Sequence, residues 1–340
     1  MTGQAGTHTS AAGAGSEEAI RFETIILPLD GSELSESAVP YAVEMARLMN
    51  AQLILLRVLE EMRPVFDTAC RDMVLIDDAN PRLELQSPEF LAPVIARIEH
   101  EGIEPRAVVR LGDPGDDILA ETGLHPRPLL VMTSHGRGGL GRVLMGSVAT
   151  RVLRHAPCPV LVVRPRADQP AANKVRFHRI VVPVDGSPLA ERALPVAAAV
   201  AQTARASVEL VRVAETYRDE MPKNVSFPRA VPYQRAALRR FARLEARVRR
   251  YLRERASHLQ DEGLEATWEQ LSGDPARQLL ELLEREQPDL IVMTTHGHGL
   301  VARWWFGSVA DQLLTESRTP IFLIRVREPL TAEFERVIAE

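Results

Sequence analysis

The sequence predicts a tandem α/β protein in which each half is a doubly wound parallel sheet with helices on both faces. Three observations support this fold class. The chain repeats itself, each repeat alternates short apolar runs with amphipathic segments, and 340 residues exceed one ordinary core but suit two domains. With 45% hydrophobic and 26% charged residues, the composition is that of a globular protein.

Two copies of one unit occupy most of the chain. TIILPLDGSELSESAVPYAVEMA at 24–46 matches RIVVPVDGSPLAERALPVAAAVA at 179–201, and VMTSHGRGGLGRVLMGS at 131–147 matches VMTTHGHGLVARWWFGS at 292–308. The first match indicates an offset of 155 residues and the second an offset of 161, so the second copy has gained six residues between its second strand and a Gly-Asp-Pro block. We expect a flexible tail at 1–20, a first domain at 21–166, a linker at 167–174, a second domain at 175–327 and a C-terminal tail or short helix at 328–340.

Each copy contains five short runs that are continuously apolar or β-branched, as is typical of strands covered on both faces. Helical periodicity fills the gaps between them, and Pro40 and Pro195 fall in the first long helix of each copy, at an early-turn position or a slight kink. Strands that alternate with helices form a parallel sheet, for which we expect the order 3-2-1-4-5. The predicted strands are 24–29, 53–58, 106–110, 128–133 and 159–163, then 179–184, 207–213, 266–271, 289–294 and 320–325.

A ligand site is predicted where the strand order reverses, beyond the carboxyl ends of the first and fourth strands. Asp30 leaves the first strand and a glycine-rich loop leaves the fourth, so both face one crevice. The loop ends in Gly146-Ser147 at the start of a helix, where backbone N–H groups can hold anionic oxygens and the serine can cap the helix. A helix cap and a tight turn would explain one such loop, but two copies with the same nine-residue spacing favour phosphate binding.

These motifs resemble those of the universal stress protein family, and each copy covers one family domain. The family motif is Gly, two residues, Gly, nine residues, Gly and then Ser or Thr; here Thr133 and Thr294 replace the first glycine. The resemblance implies two Rossmann-like domains of the adenine nucleotide alpha hydrolase type. It also implies that the ligand is ATP, AMP or another adenine nucleotide.

The resemblance further assigns roles to individual positions. The aspartate after the first strand contacts the nucleoside, a proline, a valine and a methionine line the base, and the glycines, the serine and the next valine contact phosphate. Arg137 could add a cation to the phosphates. With the two threonines and Arg137 added, the predicted site residues are Pro28, Asp30, Val58, Met132, Thr133, Gly136, Arg137, Gly146, Ser147 and Val148 in the first copy, and Pro183, Asp185, Val213, Met293, Thr294, Gly297, Gly307, Ser308 and Val309 in the second.

Enzymatic and metal chemistry have little support in the sequence. There is no nucleophile elbow, no P-loop Gly-Lys-Ser and no lysine in the glycine loops, so we assign no catalytic residue and expect hydrolysis to be slow or absent. His135, His296 and His298 are a weak metal ligand set, and we assign no metal ligand. Asp30 could coordinate a Mg²⁺ that accompanies a triphosphate, or it could cap a turn.

Three functions stay open: a nucleotide-binding regulator of the stress response, a protein-interaction scaffold with vestigial pockets, and a slow ATPase. The formal net charge of −5 argues against nucleic acid as the partner, and no apolar run is long enough to span a membrane. The two cysteines form no metal or redox motif, and we expect a cytoplasmic protein.

The last strand of each copy, in CPVLVVR and TPIFLIR, would lie at a sheet edge that needs cover. Each copy can cover the other, which predicts an internal pseudo-dimer. A homodimer of whole chains is a further option.

Overall fold

A computed structural model describes residues 20–60, 91–134, 145–164, 174–214, 231–295 and 307–325, apart from the side chains of 231–238 and 241. Within these ranges ten strands form one sheet, and every predicted strand is confirmed with its ends shifted by no more than one residue. The strands are β1 Thr24–Pro28, β2 Gln52–Leu59, β3 Arg106–Leu111, β4 Pro128–Thr133, β5 Val160–Val163, β6 Arg179–Pro183, β7 Ser207–Ala214, β8 Ala266–Ser272, β9 Leu290–Thr294 and β10 Ile321–Ile324.

Helices connect successive strands within each copy. Pro40 is the second residue of its helix and Pro195 the third, so the prolines stand where a backbone N–H has no partner in the helix and they remove no bond. The early-turn prediction is confirmed. The helices are α1 Glu33–Glu36, α2 Val39–Met49, α3 Ala92–Glu99, α4 Pro114–Gly123, α5 Ser147–His155, α6 Pro188–Glu191, α7 Ala193–Ala204, α8 Val231–Asp261, α9 Pro275–Glu286 and α10 Ser308–Glu316.

The sheet order is β3-β2-β1-β4-β5-β10-β9-β6-β7-β8. Each copy therefore has the predicted order 3-2-1-4-5, and its strands pair in parallel. At the centre, β5 and β10 pair antiparallel, with Leu161 opposite Phe322. The last strand of each copy therefore covers the apolar edge of the other copy, as the sequence predicted.

Both faces of the sheet carry a core that extends through the two copies. One core packs under α2, α3, α7 and α8, and we call this side the α2 face. The other core packs under α4, α5, α9 and α10, and we call this side the α5 face. The rings of Phe22 and Phe322, one from each copy, meet on the α2 face with their centroids 5.6 Å apart.

The Gly-Asp-Pro block explains how α4 begins. The Asp113 carboxylate accepts the backbone N–H of Asp116 at 2.9 Å, and Pro114 occupies the first turn. Arg151 of α5 donates to Asp113 and Asp116 at 3.1 and 2.6 Å, which ties the start of α4 to the next helix. In the second copy Asp274 caps α9 in the same way.

Candidate functional site

The crevice predicted between the first and fourth strands is present in the backbone of both copies. The β1–β4 ladder ends at the pair Ile26–Leu130. Beyond it, β1 stays paired with β2 as far as Pro28, and β4 stays paired with β5 as far as Thr133. The two strands therefore part at their carboxyl ends, and we call this opening the mouth. In the second copy the last pair is Val181–Ile291, while pairing continues at Pro183–Val211 and Thr294–Ile324.

Backbone hydrogen bonds close the base of the glycine loop beside the mouth. Ser134 donates its N–H to Val163 at 3.0 Å, and its carbonyl accepts the N–H of Gly146 at 2.9 Å. Thr295 makes the equivalent bonds to Ile324 and Gly307 at 3.1 and 2.8 Å. Sequence reasoning missed Ser134 and Thr295, whose only trace in the sequence is a hydroxyl residue directly after Thr133 and Thr294; the structure buries both residues.

Glycine, not serine, caps the helix that starts at each mouth. Gly146 is the N-cap of α5 and makes no side-chain bond, while Ser147 is the first helical residue and is exposed. The first helical bond runs from the Thr150 N–H to the Gly146 carbonyl at 2.8 Å. The prediction that serine caps the helix is wrong here and at Ser308, because the residue before each serine already adopts the extended cap conformation. Each first turn thus keeps its N–H groups uncapped by any side chain that the structure describes.

Several predicted base-lining residues come together on one face. Strand alternation places Pro28 on the α5 face, where Met132 belongs to the core and Val58 and Val148 pack against it. Met145, which sequence reasoning did not select, packs against the same core. The second copy brings together Pro183, Val213, Met293 and Val309 on that face.

The threonines that replace the first motif glycine lie elsewhere. Thr133 is the last residue of β4, is 8% exposed, and by alternation lies on the α2 face, opposite Met132. Thr294 ends β9 in the same way and is 6% exposed. The Cβ atoms of both threonines therefore lie on the α2 face. They do not crowd the apolar residues predicted to line the base, which lie on the α5 face.

Asp30 organises the turn that follows β1. Its Oδ1 accepts the backbone N–H of Ser32 at 2.9 Å and the Ser32 hydroxyl at 2.6 Å. In the second copy, Asp185 Oδ1 accepts the N–H of Ser187 at 2.8 Å. The turn-capping role that the sequence left open is therefore present in both copies.

The remaining predicted residues, Gly136, Arg137 and Gly297, lie outside the described residues, as do His135, His296 and His298. Within the described ranges no group of three or more His, Cys, Asp or Glu side chains is arranged to hold a metal ion.

A cavity of about 1900 Å³ lies at the junction of the copies and not at either mouth. Charged side chains that pair with one another form much of its wall: the buried Glu44 binds Arg47 at 2.8 Å and Arg176 at 3.0 Å. Arg164 and Lys174, which flank the undescribed residues 165–173, also line it. Since many of its charges pair with one another and the predicted motif residues do not line it, the candidate site is centred on the mouths.

The fold and its two mouths define a tandem doubly wound α/β protein with one strand-switch crevice in each half. The chain belongs to the universal stress protein family, whose model matches residues 21–164 and 176–325.

Its relatives carry the same family name. A universal stress protein of Methanocaldococcus jannaschii is 32% identical over 143 residues, which are 42% of this chain and 82% of that protein. One from Mycolicibacterium smegmatis is 26% identical over 313 residues and covers 89% of this chain and 97% of its own. Such coverage of both chains indicates a shared tandem organisation.

A solved structure that spans nearly the whole chain has the same fold. A universal stress protein from Archaeoglobus fulgidus superposes with a TM-score of 0.64 at 22% identity over 90% of this chain and 98% of that one. A shorter universal stress protein, solved in complex with cAMP, matches 42% of this chain with a TM-score of 0.31 and 23% identity. In the described part of the chain, no helix combines the length and apolarity needed to cross a membrane.

Proposed function

We propose that the protein binds an adenine nucleotide, ATP foremost, at one or both mouths, and that it serves as a cytoplasmic regulator of the stress response with little or no hydrolysis. The observation that carries the proposal is the same in both copies: the first and fourth strands part beside a helix whose first turn is capped by glycine alone. A crevice at the switch point is where sheets of this kind take ligands.

The helix start supplies the electrostatics for phosphate. The first turn of an α-helix has N–H groups without partners in the helix and a partial positive charge of about half a proton. A side-chain cap would occupy some of those donors, and Gly146 and Gly307 have none to offer. An anionic group that reaches these N–H groups gains hydrogen bonds and a favourable dipole.

The α5 face supplies the apolar surface for a base. Val58, Met132 and Val148 pack on one core and belong to the carboxyl end of β2, the carboxyl end of β4 and the first turn of α5. All three residues face the same core at the carboxyl end of the sheet, so the base and the phosphates would lie on adjoining surfaces. That arrangement suits a nucleotide better than free phosphate.

Asp30 can contribute to binding while it holds its turn. A carboxylate accepts about four hydrogen bonds, and Ser32 supplies two donors to Oδ1. Ribose hydroxyls are donors that the carboxylate could accept in addition. Asp30→Asn keeps an Oδ1 acceptor for the turn but removes the charge, whereas Asp30→Ala removes both.

Titration with ATP, AMP and cAMP, followed by calorimetry and thermal unfolding, tests the proposal. We expect saturable binding by the intact chain, with stabilisation of about 2.7 kcal/mol at a hundredfold excess over Kd. Asp30→Asn should weaken the first site at least tenfold with little change in the unliganded Tm, and Asp185→Asn should do the same for the second.

Ser32→Ala is the matched control, because it alters the turn and leaves the carboxylate charged. Equal losses of affinity in Ser32→Ala and Asp30→Asn would assign Asp30 to the turn alone. A wild-type chain that neither releases heat nor gains stability with any of the three nucleotides would contradict the proposal and favour a scaffold. Turnover near an ordinary enzyme rate of about 10 s⁻¹ would contradict a regulator with little or no hydrolysis and favour an enzyme.

A further inference from the structure

Two arginines at equivalent positions reach from each copy into the other. Arg164 follows β5 and Arg325 follows β10, with the same offset of 161 residues as the glycine motifs. The Arg164 Nη1 donates to the backbone carbonyl of Thr315 in α10. The Arg325 Nη1 donates to the carbonyl of Ala156, at the end of α5, at 3.3 Å. The contacts are therefore reciprocal across the pseudo-two-fold axis.

Each arginine holds the far end of a helix that begins at a mouth. The helix α5 starts at the first mouth with Ser147, and α10 starts at the second mouth with Ser308. Both contacted carbonyls lie in the last turn or at the C-cap, where helix carbonyls lack partners and carry partial negative charge. A guanidinium there satisfies a carbonyl and fixes the direction of the helix.

The two helices differ in how much they depend on the other copy. The last turn of α5 has Arg154 and His155 of its own, whereas the last turn of α10 has no basic residue. Arg164 thus supplies to α10 the positive charge that its own sequence lacks. Its loss should affect the second copy more than loss of Arg325 affects the first.

The strand that precedes each arginine also supports the loop of its own copy. Val163, directly before Arg164, accepts the N–H of Ser134 at the base of the first glycine loop. Ile324, directly before Arg325, accepts the N–H of Thr295 at the base of the second. One short segment therefore contacts the loop base of its own mouth and the helix of the opposite mouth.

We propose that Arg164 and Arg325 are positioning residues, each of which orients the phosphate-facing helix of the other copy and thereby completes the nucleotide site of that copy. The inference rests on the proposed function for its ligand. Each phosphate-facing helix would then be held in part by a residue of the other copy.

Single-site backgrounds test the proposal in the full-length chain. Asp30→Asn isolates the second site and Asp185→Asn the first. In the second-site background, we expect Arg164→Met to weaken ATP binding about two- to fivefold, which is the effect of losing one charge at a helix terminus. In the first-site background, Arg164→Met should leave the affinity for ATP unchanged. Arg325→Met should show the opposite pattern with a smaller effect, and Arg164→Lys should retain most of the affinity.

Amide hydrogen exchange without nucleotide gives a second readout. Arg164→Met should accelerate exchange in α10 and leave α5 unchanged, whereas Arg325→Met should accelerate α5. Arg277→Met is the control, because Arg277 is exposed and pairs only within its helix, with Glu281 at 2.9 Å, among the described residues. It should change neither readout.

The outcomes separate the two proposals. If the wild-type protein binds no nucleotide, the proposed function is wrong. Amide hydrogen exchange then tests separately whether each arginine holds the helix of the other copy. Arg164→Met that leaves α10 exchange unchanged, or that weakens both sites equally, overturns the cross-copy role and reduces the arginine to a general interface contact.

Discussion

At the scale of single residues, burial determines the chemistry of Cys158. This cysteine lies just before β5 and is 6% exposed. Burial raises the pKa of its thiol to about 11, even though hydrogen bonds to Leu130 and Thr122 act in the other direction. The nucleophile in thiol chemistry is the thiolate, so Cys158 is inert as long as the protein is folded.

We therefore expect slow alkylation of Cys158 in the native protein. At pH 8 about one thiol in a thousand is ionised when the pKa is three units higher. Iodoacetamide labelling, followed by peptide mass spectrometry, should be at least a hundredfold slower in buffer than in about 6 M guanidinium. Similar rates under the two conditions would contradict the burial of this side chain.

A second prediction at this scale concerns glycines with positive φ. Gly186 has φ +79°, and a Cβ there would lie 2.5 Å from Nη1 of Arg212, whose guanidinium stacks on Tyr251 at 5.5 Å. Gly263 has φ +86° but no atom within 4 Å of a Cβ. Gly263→Ala should lose about 1 kcal/mol from left-handed backbone alone. Gly186→Ala should lose more, because the Arg212 guanidinium must also shift and its contact with Tyr251 is disturbed.

Denaturant unfolding of the two variants gives this comparison. Equal losses of unfolding free energy would show that Arg212 moves aside without penalty.

At the scale of secondary-structure elements, the equivalent helices α4 and α9 pack against the sheet with different kinds of side chain. Glu121 of α4 is 3% exposed and binds Arg110 of β3 at 2.6 Å and His125 at 2.8 Å. The second copy has Leu271 and Leu282 at the positions of Arg110 and Glu121. One copy therefore buries a charged group where the other buries only apolar side chains.

The double substitution Arg110→Leu with Glu121→Leu should reproduce the second copy at small cost. Arg110→Leu alone should destabilise by about 3 kcal/mol, because it leaves a buried carboxylate with His125 as its remaining described partner. The double variant should return to within about 1 kcal/mol of wild type. Unfolding free energies of the three proteins measure this, and a double variant as unstable as Arg110→Leu would contradict the equivalence.

The same pair predicts a pH dependence. Burial raises the pKa of Glu121, but hydrogen bonds to His125 and Arg110 outweigh that effect, so the pKa lies below its ordinary value. A lowered folded pKa contributes stability above the unfolded pKa and loses it as the pH falls through the folded value. The double variant should thus lose less stability than wild type between about pH 5 and pH 3. A parallel decline would exclude Glu121 as a source of acid sensitivity.

Elements were more predictable from the sequence than the details of the site. Every strand was located because β-branched and apolar runs stand out between amphipathic helices. Each run also occurs at the equivalent position of the other copy. The helix caps at the mouths were not predictable, since Gly146 and Ser147 are both good N-caps and only backbone geometry separates them. Ser134 was missed because its contribution is a backbone carbonyl, which leaves little trace in side-chain identity.

At the scale of the whole molecule, the copies share their cores. Residues from both contribute to the apolar cluster on each face of the ten-stranded sheet. Phe322 is fully buried, lies opposite Leu161 of the other copy and packs against the ring of Phe22. Such a shared interior couples the stability of one copy to that of the other.

The chain should accordingly unfold in one cooperative transition. Scanning calorimetry should give equal calorimetric and van't Hoff enthalpies for wild type. Phe322→Ala should cost about 3–5 kcal/mol and accelerate hydrogen exchange in both copies. Leu55→Ala, a fully buried substitution inside the first copy, should likewise accelerate exchange in both copies, because its core cluster extends through the second copy. Two resolved transitions in wild type would show that the copies are independent domains.

What the two mouths hold decides the function of the whole molecule. The most direct measurement is a crystal structure of the full-length protein with a non-hydrolysable ATP analogue. We predict density between the carboxyl ends of β1 and β4 in at least one copy, with phosphates at the first turn of α5 or α10 and the base against the α5 face. Side chains that fill both mouths, with the analogue absent from each, would contradict it.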